Sequence, residues 1–170
     1  MKSATPHSYI TVLVRSLNRD AFLLSFYVPA PHRDNILALY GLDAELVRVH
    51  GAVTEEVNGH IRYAWWQEAL DGIQAGKKPH AHPVIEALAP LFRQGIFTHE
   101  MLSELVMHYR STFPAMPEPS LADRMVSDYI ERHCPEILPV WKRVHARIAD
   151  HRQRYGKRRN AWLLLKLLWT

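Results

Sequence analysis

Residues 59–73 read GHIRYAWWQEALDGI, and the two adjacent tryptophans in this polar-studded run, Trp65 and Trp66, decide how the chain is built. On a helix, Val57, Ile61, Trp65 and Ala69 share one stripe, while Arg62, Trp66, Leu70 and Ile73 share the next, about 100° away. The two indoles therefore face different neighbours. Burying both requires packing over more than half of the helix circumference, which predicts a central helix in an all-helical domain. The same stretch is also suited to form the wall of a site, with Arg62 ahead of the tryptophans and Glu68 and Asp71 behind them.

Working outward, helix signals recur and period-two alternation does not. Asn18 caps a short helix through Phe26, and Pro29 and Pro31 separate it from a longer one. That second helix carries Ile36, Leu39, Tyr40, Leu42, Leu46, Val47 and Val49 at three and four spacing, a broad apolar face ending near Gly51. The tryptophan helix starts around Thr54, with Glu55 and Glu56 at its positive end, and runs to Ala75 before the stop formed by Gly76, Lys77, Lys78 and Pro79. Pro83 opens a fourth helix that Gly95 closes, and Thr98 caps a fifth reaching about Arg110. After the proline-broken loop STFPAMPEPS, Ser120 and Asp123 read as a capping box for a sixth helix. A basic helix follows Pro135 and Pro139 and reaches about Tyr155, where Gly156 ends it.

Composition bounds the rest. With 170 residues, 48% hydrophobic and 22% charged, the chain is long enough for one globular domain and too apolar for disorder. Cys134 is alone, so no internal disulfide forms, and a reducing compartment is expected. The N-terminal MKSATPHSYITVLVRS lacks a secretory pattern, which leads to the expectation of a cytoplasmic protein, peripheral on the inner membrane face. No G-x-S-x-G, Walker loop or Gly-rich dinucleotide turn is present, which argues against those enzyme classes. His80 and His82 fit a loop before a proline-started helix better than a metal pair. The acid pairs Glu68/Asp71 and Asp128/Glu131 read as solvated surface, and Cys134 as a structural thiol.

Charge is concentrated near the C-terminus. Between Lys142 and Arg159 stand eight Lys or Arg against one acid, Asp150, so the rest of the chain is net negative within an overall +4. The closing NAWLLLKLLWT is too short to span a bilayer, which needs about 20 residues. Arg158, Arg159, Trp162 and Trp169 are candidates for contact with a membrane surface or a partner protein. Tryptophans ending an apolar run favour either of these over nucleic acid, and no nucleic-acid partner is expected.

Three stretches taken in order, FLLSFYVPAPHRDNILALYGLDAELVRV, IRYAWWQEALDGI and HPVIEALAPL, resemble the squalene and phytoene synthase family. The matching elements are Phe26, Pro29 and Arg33, the ALYGLDAEL helix, the segment from Arg62 to Leu70, and the HPV that opens the next helix. The likeness covers about residues 18–134, is clearest over 20–92, and is closest to the branch that includes a mitochondrial complex I assembly factor. It implies an all-α bundle of the isoprenoid synthase type, here shortened at the C-terminus, with a deep apolar cavity. In that family two aspartate-rich helical segments hold Mg²⁺ against the diphosphates of two isoprenoids joined head to head, because hard carboxylate oxygens suit the ion.

This chain departs from that pattern. Where the first aspartate-rich segment should close the second helix, the sequence reads RVHGAVTEE, which puts Gly51 and Ala52 at the two leading acids. Only Glu55 and Glu56 stand near the trailing one, and no second aspartate-rich segment follows. The expected organisation is an extension over 1–17, a bundle over 18–134, and a basic plus an apolar helix over 135–170. The expected function is non-catalytic: binding of a prenyl or other apolar ligand, or of a membrane-associated partner, in the manner of an assembly factor and without a cofactor. Tyr40, Arg62, Trp65 and Trp66 are the candidate ligand-binding residues. The alternative is a Mg²⁺-dependent head-to-head prenyl transferase of farnesyl or geranylgeranyl diphosphate, acting alone or with a partner subunit, with Glu55 and Glu56 as metal ligands.

Overall fold

A computed structural model describes residues 5–53, 55–115 and 121–155, of which 151–155 are described by backbone alone. Among the described residues the chain forms eight α-helices and two short 3-10 turns, with no strand. The all-α class follows.

Within the segment that the sequence reading set apart as an extension, residues 6–17 form the first helix. In α1 (Pro6–Leu17) the Thr5 hydroxyl accepts the Ser8 N–H at 3.3 Å, and Pro6 occupies the first turn, where its missing N–H costs nothing. Ile10, Leu13 and Val14 are buried, and the helix packs on α3 and α5. Helix α2 (Arg19–Leu24) is capped by Asn18, whose Oδ1 accepts the Ala21 N–H at 3.1 Å. It ends two residues earlier than its pattern suggests, because Ser25–Tyr27 tighten into a 3-10 turn before Pro29. Phe26 is left exposed with the Arg33 guanidinium 5.0 Å above its ring.

Helix α3 (Ala30–Ala52) is the axis of the molecule. Every residue from Ile36 to Leu46 is buried, and the helix contacts α1, α4, α5, α6 and α7. Helix α4 (Glu56–Gln74), expected to be central, buries mainly one stripe, Gly59, Tyr63, Trp66, Leu70 and Ile73 at three and four spacing, and of the other stripe only Ala69. Val57 and Ile61 remain 69% and 61% exposed, and Trp65 is half-buried. The prediction of a central tryptophan helix thus fails at its outer stripe, because α3 already occupies the middle and α4 lies between it and solvent.

The remaining helices close the bundle. Gly76 ends the α4 turn at φ +69 and Gly95 follows α5 (Pro83–Arg93) at φ +68, both in the left-handed region where a Cβ is disfavoured. Helix α6 (His99–Thr112) is capped by Thr98 and runs along α4. Helix α7 (Leu121–His133) packs on α3; its expected capping residue Ser120 lies outside the described residues. In α8 (Leu138–Tyr155), Trp141, Val144 and Ile148 form the buried stripe, while Lys142, Arg143 and Arg147 are exposed. The described part of the basic segment is therefore docked through an apolar edge, with its charge turned outward. Cys134, between α7 and the second 3-10 turn, is buried as a free thiol.

Gly59 marks the tightest approach of α4 to its neighbours. A Cβ there would lie 2.6 Å from the Phe113 ring, which is itself wedged among His50, His60 and Tyr63 and has little room to swing. Gly72, on the same helix, faces open space. Gly59→Ala is expected to destabilise by about 1–3 kcal/mol through overpacking, and Gly72→Ala to stabilise by about 0.5–1 kcal/mol through helix propensity. Urea denaturation of the two variants checks both signs.

Candidate functional site

Two polar constellations flank α3 on opposite faces, since Asp43 and Glu45 stand two residues and about 200° apart. The inner one is closed. Tyr40, fully buried, donates to Asp123 Oδ1 on α7 at 2.8 Å, and His145 Nε2 of α8 lies 3.1 Å from Asp123 Oδ2. Tyr109 of α6 donates to Asp43 Oδ1 at 2.8 Å. Burial pushes the Asp43 carboxyl up to about 6, against the Tyr109 hydrogen bond, and the nearby Asp123 charge adds to the rise. Burial, followed by the charge of Asp123, holds the Tyr40 hydroxyl well above its ordinary range. These groups satisfy one another and join four helices.

The outer constellation is open. A cavity of about 230 Å³ is lined by Glu45, Arg48, Arg62, Trp65, Trp66 and His82, together with aliphatic groups of α3. At its base the nearly buried Glu45 accepts from Tyr9 Oη at 2.5 Å and from Arg48 Nη1 at 3.1 Å. Arg48 also donates to Tyr9 Oη at 2.9 Å, so α1 is tied to α3 by a three-membered charge-assisted network. His82 caps α5: its Nδ1 accepts the Val84 N–H at 3.3 Å, which places the ring proton on Nε2, 3.8 Å from Glu45 Oε1. Burial lowers the His82 pKa more than Glu45 raises it, so the ring is neutral near pH 7.

Aromatic rings form the cavity wall. Trp65 and Trp66 meet edge to face at 5.0 Å, Trp66 and His82 at 4.9 Å, and Trp65 and His80 at 5.5 Å. Arg62 stands exposed at the rim and finds no hydrogen-bond or ion-pair partner among the described residues. The structure therefore brings Arg62, Trp65 and Trp66 together, while Tyr40 belongs to the inner network. Sequence reasoning missed Tyr9, Glu45 and Arg48; a glutamate inside the apolar run LDAEL, three residues before an arginine, was the available signal.

Other constellations carry less chemistry. Glu55 accepts from Asn58 at 3.0 Å and Glu56 lies 3.5 Å from His60, so each acid is engaged within the first turns of α4. Among the described residues no three His, Cys, Asp or Glu side chains converge as metal ligands. Asp71, His99 and Ser103 suggest a triad, but the carboxylate at 2.6 Å and the hydroxyl at 3.3 Å both address His99 Nε2. A triad needs opposite ring nitrogens, so this cluster fastens α4 to α6 instead. A cavity of about 320 Å³ between α1, α3 and α5 is lined mainly by aliphatic groups, with the exposed pair His7 and Asp34 at its edge. Arg158, Arg159, Trp162 and Trp169 lie outside the described residues.

The sequence model of squalene/phytoene synthase matches residues 14–123, and the chain belongs to that family. Two relatives, each described as NADH dehydrogenase (ubiquinone) complex I, assembly factor 6, from Bos taurus and Homo sapiens, are 28% identical to it over 98 residues. The aligned region is 58% of this chain and 29% of either relative, so the chain spans less than a third of their length. The counterpart from Mus musculus is 29% identical over 80 residues, 47% of this chain and 24% of its own. No solved structure matches the chain.

The inner network yields a test. A carboxyl raised from an ordinary 3.8 to about 6 by folding binds its proton more tightly in the folded protein. Stability from this group is therefore greatest below about pH 4 and is lost as pH rises through about 6, by up to about 3 kcal/mol. Asp43→Asn, which keeps an acceptor for Tyr109, is expected to be more stable than the parent near pH 7, with the gain shrinking towards pH 4. Urea titrations of both proteins across that range give the comparison.

Proposed function

We propose that the chain is a non-catalytic member of its family, a helical-bundle binding protein that acts in the assembly of a membrane-associated complex. One observation carries the reading: where the family holds its first metal-binding acids, α3 ends in exposed Gly51 and Ala52, and the nearby Glu55 and Glu56 are engaged with their own helix. Among the described residues no three acids converge to hold Mg²⁺ against a leaving diphosphate. The relatives described as complex I assembly factors support the same reading.

The partner is a protein at a membrane rather than a prenyl chain. Cavities of about 230 and 320 Å³ stand at or below the lower end of the range for small-molecule sites, roughly 300–1,000 Å³, and suit inserted side chains better than a long isoprenoid. Among the described residues no helix is long and apolar enough to cross a membrane, which is compatible with peripheral attachment.

Two measurements test this. Purified protein with Mg²⁺ and farnesyl or geranylgeranyl diphosphate is expected to release no diphosphate above a heat-denatured control; release that disappears in Glu55→Gln/Glu56→Gln would overturn the reading. In cells lacking the gene, the amount of assembled NADH dehydrogenase on native gels is expected to fall. The same double variant should restore it as fully as the parent does.

A further inference from the structure

Helix α4 has two apolar stripes, and the bundle covers one fully and the other only from Trp65 to Ala69. The inner stripe through Tyr63, Trp66 and Leu70 is core. The outer stripe begins with Val57 and Ile61, at 69% and 61% the most exposed large apolar side chains among the described residues, and continues one turn later to half-buried Trp65 at the cavity wall. Beside it, Arg62 presents a guanidinium with five donors and no partner among the described residues. Tryptophan and arginine at the edge of a concave apolar surface are the side chains that most often anchor protein interfaces.

We propose that this surface docks an amphipathic helix of a partner protein, whose apolar row covers Val57, Ile61 and Trp65 and whose carboxylate enters the cavity to pair with Arg62. Charge complementarity selects the occupant. Arg48 is already engaged by Glu45 and Tyr9, so the cavity presents one uncompensated cation, and an acidic side chain supplies the matching charge. A cavity of this volume accepts one side chain.

An anionic bilayer fits less well, because α4 also exposes Glu56, Glu68 and Asp71 and is net negative along its length. A second copy of this chain fits less well too. A two-fold axis centred on the stripe falls at Ile61, midway between Val57 and Trp65, and brings Arg62 against its own symmetry mate. The inference rests on the reading of the chain as a protein-binding member of its family, and its test is independent of turnover. Diphosphate release would remove that reading and leave this surface to be judged by binding, whereas a failure of binding would leave the non-catalytic reading intact.

The experiment is selection of a displayed library of random 16-residue peptides on the full chain, with counter-selection on Arg62→Glu. The expected consensus has apolar residues at three and four spacing and one Asp or Glu. Its peptides should bind Arg62→Glu about tenfold or more weakly, as loss of a charge-assisted contact implies. Exchanging the peptide acid for Lys should restore binding to that variant. Ile61→Asp should abolish binding and Met107→Asp, on the exposed side of α6, should not; thermal denaturation of each variant controls for folding. No enrichment, a consensus without an acid, or equal binding to Arg62→Glu overturns the proposal. So does dimerisation, or binding to phosphatidylglycerol vesicles, that Ile61→Asp removes.

Discussion

Helix α3 is enclosed from Ile36 to Leu46, yet that run contains Tyr40, Asp43 and Glu45. A polar group taken out of water must be hydrogen-bonded or its burial costs several kcal/mol. The rest of the bundle is arranged around this requirement. Asp43 receives Tyr109 from α6, Tyr40 reaches Asp123 on α7, His145 of α8 completes that aspartate, and Glu45 is held by Arg48 and by Tyr9 of α1. Apolar packing is non-directional, so these contacts, which tolerate few geometries, set how each surrounding helix is rotated against the axis.

The same arrangement fills the middle of the family fold with contacts between its own helices. The inner face of α3 is occupied by protein–protein hydrogen bonds, and the end of that helix carries Gly51 and Ala52 instead of carboxylates. One opening lies on the outer face, where Arg62, Trp65, Trp66 and His82 surround a small cavity with a buried glutamate beneath it. In its aromatic wall the indoles and the imidazole meet edge to face.

Charge is distributed with a comparable economy. Helix α8 buries Trp141, Val144 and Ile148 and sends Lys142, Arg143 and Arg147 outward, so one edge docks to the bundle while the other stays in water. His145 reaches inward between these cations to Asp123, linking the basic helix to the buried network. On α4 the opposite sign prevails, and Arg62 stands as a local exception.

The all-α class, the order of the helices from Asn18 onward and most of their caps were legible in the residues, because capping at Asn18 and Thr98, proline starts and glycine stops are local physics, whereas α1 was not read as a helix. The family was legible too, through the order of short stretches. The rotation of α4 was not: two adjacent stripes, one through Trp65 and one through Trp66, have similar hydrophobicity. Only contact with Phe113 at Gly59 and with α6 shows which one faces inward. Nor did periodicity show that Tyr40 would leave the tryptophan group for Asp123, 83 positions away. Local propensity determined which segments are helices; burial and hydrogen-bond satisfaction between distant segments decided which face of each became core and which was left as a site.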